Sequence, residues 1–322
     1  MNLHPGDLPL FQAALELVVP ATKLQVLKDV TVYPDGTIWR GRRIVRESLV
    51  TGRGPTKWKV LIEVGTTQLR VRTYRDVHED TVWFIDNWSD GYFHWITDAL
   101  PRLFTVRDLV AGRPLLLPSR YQNLKCLVPS VKPFGVDAIR FQKPDEGIRC
   151  ARLLMPTHTA PTGNYNEGLI NELRDTFTTF YASDAVADDR VYISRRKAPR
   201  RRLANEEDVA CVMREYGFRV VYLEEHPFED QVAILSKARY VASNHGAGLT
   251  NMLFMRPGGR VLELRREGDA HNNCFFTLAS ALKLDYFYQL CGSGRPRVNP
   301  RSRDLVANIE TLRDNLAALV AS

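Results

Sequence analysis

Residues 25–85 read as strand-rich, with hydrophobic and polar positions alternating in parts of the span at the period of a half-buried strand. In "VLKDVTVYPDGTIWRG" (26–41) two alternating runs flank Asp35-Gly36, a hairpin signal. "KWKVLIEVG" (57–65) and "TVWFIDN" (81–87) read as further strands. The period then lengthens. Across 90–110, Phe93, Ile96, Leu100, Leu103 and Phe104 fall on one side of a helix, which Pro101 should kink or split. Two short apolar runs stopped by proline, "RPLLLP" (113–118) and "ARLLMP" (151–156), predict buried strands. A helix is predicted over 166–182, and the polar "SDAVADDR" (183–190) reads as a linker.

Beyond the linker the pattern is regular. Strands are predicted at "RVYISR" (190–195), "FRVVYLEE" (218–225), "RYVASN" (239–244) and "RVLEL" (260–264). Between and after them lie helices at 205–217, 227–238 and 273–284, and a last amphipathic helix at 302–320. This order predicts a parallel sheet covered by helices on both faces. Two α/β units with a cleft between them follow as the expected architecture. Ligands of such sheets sit beyond the carboxyl ends of the strands, which selects Ser194–Arg196, Ser243–Gly248 and Glu263–Arg265.

Length agrees with more than one core. Hydrophobic residues at 44% and charged residues at 25% are ordinary for a globular chain. Cys126, Cys150, Cys211, Cys274 and Cys291 form no CxxC pair and are odd in number, so neither a zinc site nor a disulfide framework is expected. A reducing, cytoplasmic setting is the simplest inference. The first twenty residues lack a basic leader, and no stretch approaches the roughly 20 apolar residues of a membrane helix. The expectation is a soluble protein, at most peripheral at the inner face of a membrane.

The formal charge is +7, and arginine is concentrated in "SRRKAPRRR" (194–202). Arginine suits bidentate contact with phosphate or carboxylate, and a solvated basic loop accounts for the same run. "SNHGAGLTN" (243–251) places two glycines at a strand–helix junction, where backbone N–H groups can face an anion. By itself it reads as a tight turn, since it lacks both a third glycine and a P-loop lysine. The arginines and Glu263 at the same end of the sheet make a nucleotide diphosphate the ligand that suits the set. Glu263 could hold ribose hydroxyls or simply pair with Arg265 or Arg266. In the first half His94 and Asp98 are four residues apart on one helix face, a general-base pair or a structural hydrogen bond.

Residues 192–264 carry, in order, a strand ending in "SRR", an arginine before "NE", "GFRVV", "HGAGLTN" and "VLEL". Together with "NWSDGYFHWITDALPR" (87–102), they resemble glycosyltransferase family 61, the DUF563 or capsular-polysaccharide type; the likeness covers roughly 83–290. The resemblance implies a GT-B fold: two Rossmann-like domains facing each other across a cleft, here preceded by a strand-rich segment. It divides the chain into an acceptor-side domain (1–184), a donor-binding domain (185–300) and a closing helix (301–322) that packs back. It implies an inverting transfer without an essential metal or cofactor, from a nucleotide sugar, UDP-linked first, to a glycan or glycolipid of the cell-surface polysaccharide, capsule or lipopolysaccharide kind.

On that basis Arg195 and Arg202, with Arg196 behind them, are expected at the diphosphate. His245, Gly246, Ala247 and Gly248 form its loop, Asn244 and Asn251 orient it, and Glu263 takes the ribose. Asp98 is the first choice for the base and His94 the second. The alternative is a non-catalytic sugar- or nucleic-acid-binding protein using the arginine cluster. Nucleic acid is disfavoured because no aromatics interleave with 194–202. A dehydrogenase-like use of NAD is disfavoured by the missing GxGxxG.

Overall fold

Phe11 is 1% exposed although it stands at the very start of the chain, and its partners come from the far end. Its ring meets Phe276 at 4.8 Å and Tyr288 at 5.2 Å. The computed structural model, which describes residues 5–50, 67–183, 188–293 and 304–321, accordingly divides into two compact units. One runs from Val19 to Asn166; the other joins the residues up to Val18 to those from Glu167 onward.

In the first unit β1 (Leu24–Val32), β2 (Ile38–Arg40) and β3 (Arg43–Ile44) form the predicted hairpin and its extension. Thr31 opposes Trp39 and Val32 opposes Ile38 around Gly36, whose φ of +88° only glycine adopts readily. Beyond them lie β4 (Thr73–Val77), β5 (Thr81–Val82), β6 (Leu115–Pro118), β7 (Ile139–Gln142) and the long β8 (Glu146–Pro156). β8 runs antiparallel to β1 and parallel to β4 and β5, in the order β3-β2-β1-β8-β4. This mixed sheet differs from the all-parallel sheet expected of a Rossmann-like half. Only β6 and β7 form a separate parallel pair. The strand expected at 57–65 lies outside the described residues. "TVWFIDN" is a strand only over Thr81–Val82; Trp83, Phe84 and Ile85 are buried as irregular chain.

Pro101 does divide the helical period. Tyr92–His94 and Leu100–Phe104 are α-helical, and between them Trp95–Ala99 forms a π-turn in which the Leu100 N–H reaches the Trp95 carbonyl, five residues back. Pro101 has no N–H to continue the i−4 ladder, so the wide turn precedes it.

In the second unit β9 (Arg190–Ile193), β10 (Arg219–Val221), β11 (Tyr240–Asn244), β12 (Arg260–Arg266) and β13 (Asp285–Ser293) run parallel, with β14 (Leu305–Val306) antiparallel on β13. Their spatial order is β10-β9-β11-β12-β13-β14. Ala242 and Leu262 pack with Val209 and Met213 of the helix Glu206–Glu215 and with Leu312 and Leu316 of the last helix, Ile309–Val320. Phe177, Phe228 and Phe254 meet edge-on at 5.6–5.7 Å and tie the helices Glu167–Phe180 and Phe228–Lys237 to the segment after β11. That segment, Ala247–Phe254, is 3₁₀ rather than α-helical, and Leu249, Met252, Leu253 and Phe254 are fully buried. Each such side chain stabilises the fold by about 1.5–3 kcal/mol, which anchors the loop before it.

Candidate functional site

From β9 the chain crosses to β10 on one side; from β11 it proceeds to β12 on the other. The order therefore reverses between β9 and β11, and the carboxyl ends of strands at such a reversal are where open parallel sheets bind ligands. Those ends are Ser194–Arg196 and Asn244–Gly248. The Ser243 hydroxyl donates to the Ile193 carbonyl at 2.8 Å, pinning the two strand ends together. Below them the Ser194 hydroxyl and the Tyr192 phenol donate to one oxygen of Glu206, whose carboxyl burial pushes up.

Arg195 lies across the glycine loop. A Cβ on Gly246 would collide with its guanidinium, and one on Gly248 would come within 3.1 Å of Ile193. Gly246 itself is extended, with φ 166°, so glycine is needed there for close approach and not for a left-handed turn. Arg195 donates to the Arg200 carbonyl at 3.1 Å, and Asn244 donates to the Arg201 carbonyl at 2.5 Å. These bonds hold Arg201 in the left-handed region, φ +56°, which bulky residues rarely adopt. Burial lowers the pKa of Arg195, and the neighbouring Arg201 lowers it further. Burial also lowers that of Arg201. Among the described residues neither guanidinium has a carboxylate within ion-pair distance. Two half-buried neighbouring cations, neither in direct ion-pair contact, form a site that an anion would relieve.

The other two expected arginines are elsewhere. Arg196 is exposed and pairs with Glu207 at 2.9 Å; Arg202 is exposed and pairs with Asp304 at 3.5 Å. Arg201 was missed because sequence does not tell which of three adjacent arginines the left-handed kink turns inward. Asn251 braces the loop by donating to the Gly248 carbonyl at 3.0 Å. The Asn244 Oδ1 is buried without a partner.

Glu263 is 0% exposed. One oxygen faces His245 Nδ1 at 2.5 Å and the other accepts from the Tyr286 hydroxyl. Burial would raise its pKa, but His245 and Arg265 hold the carboxyl below its ordinary value. Its oxygens are engaged inside the protein, so its place is beneath His245. The His245 ring rests edge-on against Phe275, 5.0 Å between centroids.

In the first unit, the π-turn sets Asp98 beside His94. His94 Nδ1 is 2.7 Å from Asp98 Oδ2, and the Thr162 hydroxyl donates to that same oxygen. Asp98 is the buried member, 6% exposed at its side chain against 24% for His94. Four residues on, Arg102 is wholly buried, donating through Nε and Nη2 to the Pro156 carbonyl at 3.0 and 2.8 Å. Next to it His158 Nε2 lies 3.0 Å from Asp86. Burial opposes ionisation of Asp86, yet the His158 hydrogen bond and the Arg102 charge lower its pKa to about 2. Burial and the same arginine hold His158 down. Arg102 and His158 were not selected from the sequence; the recurrence of His94, Asp98 and Arg102 every fourth residue was the available signal.

Two comparisons bear on this arrangement. The beta-1,2-xylosyltransferase XAX1 of Oryza sativa subsp. japonica is 27% identical over 209 residues, which are 57% of this chain and 36% of that protein. The chain thus spans little more than a third of that relative's length. The model of the family Glycosyltransferase 61 matches residues 92–262, more than half the chain, from the helix bearing His94 and Asp98 through the arginine and glycine loops into β12. On that match, this chain belongs to glycosyltransferase family 61.

Proposed function

We propose that the chain is an inverting, metal-independent glycosyltransferase of GT-B type, whose second unit binds a nucleotide-sugar diphosphate and whose first unit supplies the base. One observation carries the reading. Arg195 and Arg201, half-buried and without a direct ion pair among the described residues, stand with the glycine loop at the point where the strand order reverses. The first N–H groups of Ala247–Phe254 have no intrahelical acceptor and add to the positive field. Together they are suited to stabilise a departing diphosphate in place of a metal. Arg202 and Arg196, already paired with carboxylates, serve as outer cations.

His94 is the proposed base, and Asp98, more buried and held by Thr162, orients it; this reverses the order inferred from sequence. The donor we propose is UDP-linked, with UDP-xylose first among the sugars because the rice relative is named a xylosyltransferase. The proposed acceptor is a glycan or glycolipid of cell-surface polysaccharide or lipopolysaccharide type. Among the described residues no helix is long and apolar enough to cross a membrane.

A thermal-shift screen with UDP, GDP and CMP and their sugars tests the site. A nucleotide at a hundred times its Kd stabilises by about 2.7 kcal/mol. Arg201→Ala should lose that shift while its ligand-free melting stays near wild type. No shift with any nucleotide would remove the donor-site reading; an unchanged shift in Arg201→Ala would remove that residue from it.

A further inference from the structure

We propose that His245 takes up a proton as the donor binds and, as an imidazolium, donates from Nε2 to the leaving diphosphate, with the buried Glu263 as its counter-charge. This deepens the donor-site reading above and rests on it.

The geometry is a sealed relay with one open end. Tyr286, fully enclosed in the core beneath the loop, donates to one Glu263 oxygen, and His245 Nδ1 occupies the other at 2.5 Å. Glu263 is 0% exposed, while the His245 side chain keeps 15% of its surface. Nδ1 is committed inward and Phe275 fixes the plane of the ring, so Nε2 is the atom left to face a ligand. His245 directly precedes Gly246, the residue on which Arg195 lies, and so belongs to the same anion-facing loop.

Acidic and basic groups both surround the ring, and Arg266 lies 3.9 Å from Asp269. Glu263 and Asp269 are set against Arg265 from β12 and Arg201 from the preceding loop, with the Cys274 thiol nearby. Arg265 is bonded to the Asp269 carbonyl at 2.6 Å, to Asn273 at 2.9 Å and to the Tyr286 hydroxyl at 3.4 Å. A proton added at His245 Nε2 would stand on the ring between the Glu263 carboxylate and the loop on which Arg195 lies. A diphosphate favours that proton from above, and a carboxylate shielded from water favours it from below. When the bond from the sugar C1 to the β-phosphate oxygen breaks, its electron pair goes to that oxygen. The Nε2–H hydrogen bond meets the added charge and the proton stays on the ring. The acceptor hydroxyl forms the new bond to C1 and gives its proton to the base.

Calorimetry of the full chain with UDP between pH 7 and 9, in buffers of unlike protonation enthalpy, tests this. The range lies above the second phosphate ionisation, near about 6. Affinity should fall by up to about tenfold per pH unit, with uptake approaching one proton on binding. His245→Gln, at a partly exposed position, should bind more weakly with neither dependence, and His226→Gln should keep both. UDP binding without proton uptake, or uptake that survives in His245→Gln, overturns the inference and leaves the donor site standing. If UDP, GDP and CMP all fail to bind the wild type at every pH, the donor site falls and the inference with it.

Discussion

At Asp98 one carboxylate oxygen collects both the His94 imidazole and the Thr162 hydroxyl, whereas His94 is the more exposed of the pair. The two residues therefore answer differently to substitution. His94→Ala should lower kcat by about 10²–10⁴, the usual contribution of a general base, and leave UDP affinity unchanged. Asp98→Asn keeps the shape and loses the charge that orients the ring, so a smaller fall in kcat with an unaltered donor KM is expected. Steady-state kinetics on both variants decides between them: an inactive Asp98→Asn beside an active His94→Ala would restore Asp98 as the base. The spacing of four residues made this pair visible in sequence. Which member is buried was not visible, because it depends on Thr162, a loop residue far along the chain.

Among the elements, the π-turn Trp95–Ala99 is where local sequence and site geometry conflict most. A proline inside a helix costs about 3 kcal/mol relative to alanine. Pro101→Ala would restore an N–H and favour a regular α-helical turn, rotating Asp98 with respect to Thr162. The variant should gain about 1 kcal/mol in urea unfolding and lose activity; unchanged activity would show that the wide turn has no part in aiming Asp98. Elements of the second unit were legible because each is a short apolar run bounded by Gly, Pro or a cap. β13 is absent from the predicted strands: the predicted helix ends at 284, and "DYFYQL" directly beyond it carries no turn signal that marks it as an element of its own. The first unit was less legible for another reason. β1 finds its partner β8 more than a hundred residues later, and nothing local in either strand encodes that register.

For the molecule as a whole, the buried charges of the first unit fix how it meets acid. Asp86 has a pKa of about 2 against an ordinary 3.8. A depressed carboxyl contributes stability that is complete above the unfolded value and is lost as pH falls toward the folded one. Between pH 5 and 2 this loss is about 2 kcal/mol. His158, held below the ordinary histidine value by burial and Arg102, adds a loss that begins nearer neutrality. Urea titrations from pH 7 to 2 should show both phases. Asp86→Asn should flatten the lower one; a slope identical to wild type would mean that the pair carries no net stabilisation.

The docking of the first helix, Leu8–Leu15, has a consequence for biosynthesis. Phe276 and Tyr288, which enclose Phe11, are made some 270 residues after it. At about 5–20 residues per second that interval is roughly 15–55 s. Throughout it the nascent chain carries an amphipathic helix with nowhere to bury its aromatic face, which is the kind of segment that chaperones hold. The second unit is complete only when its last strands return to collect the residues up to Val18, so a stalled or truncated chain would present that helix unsheltered.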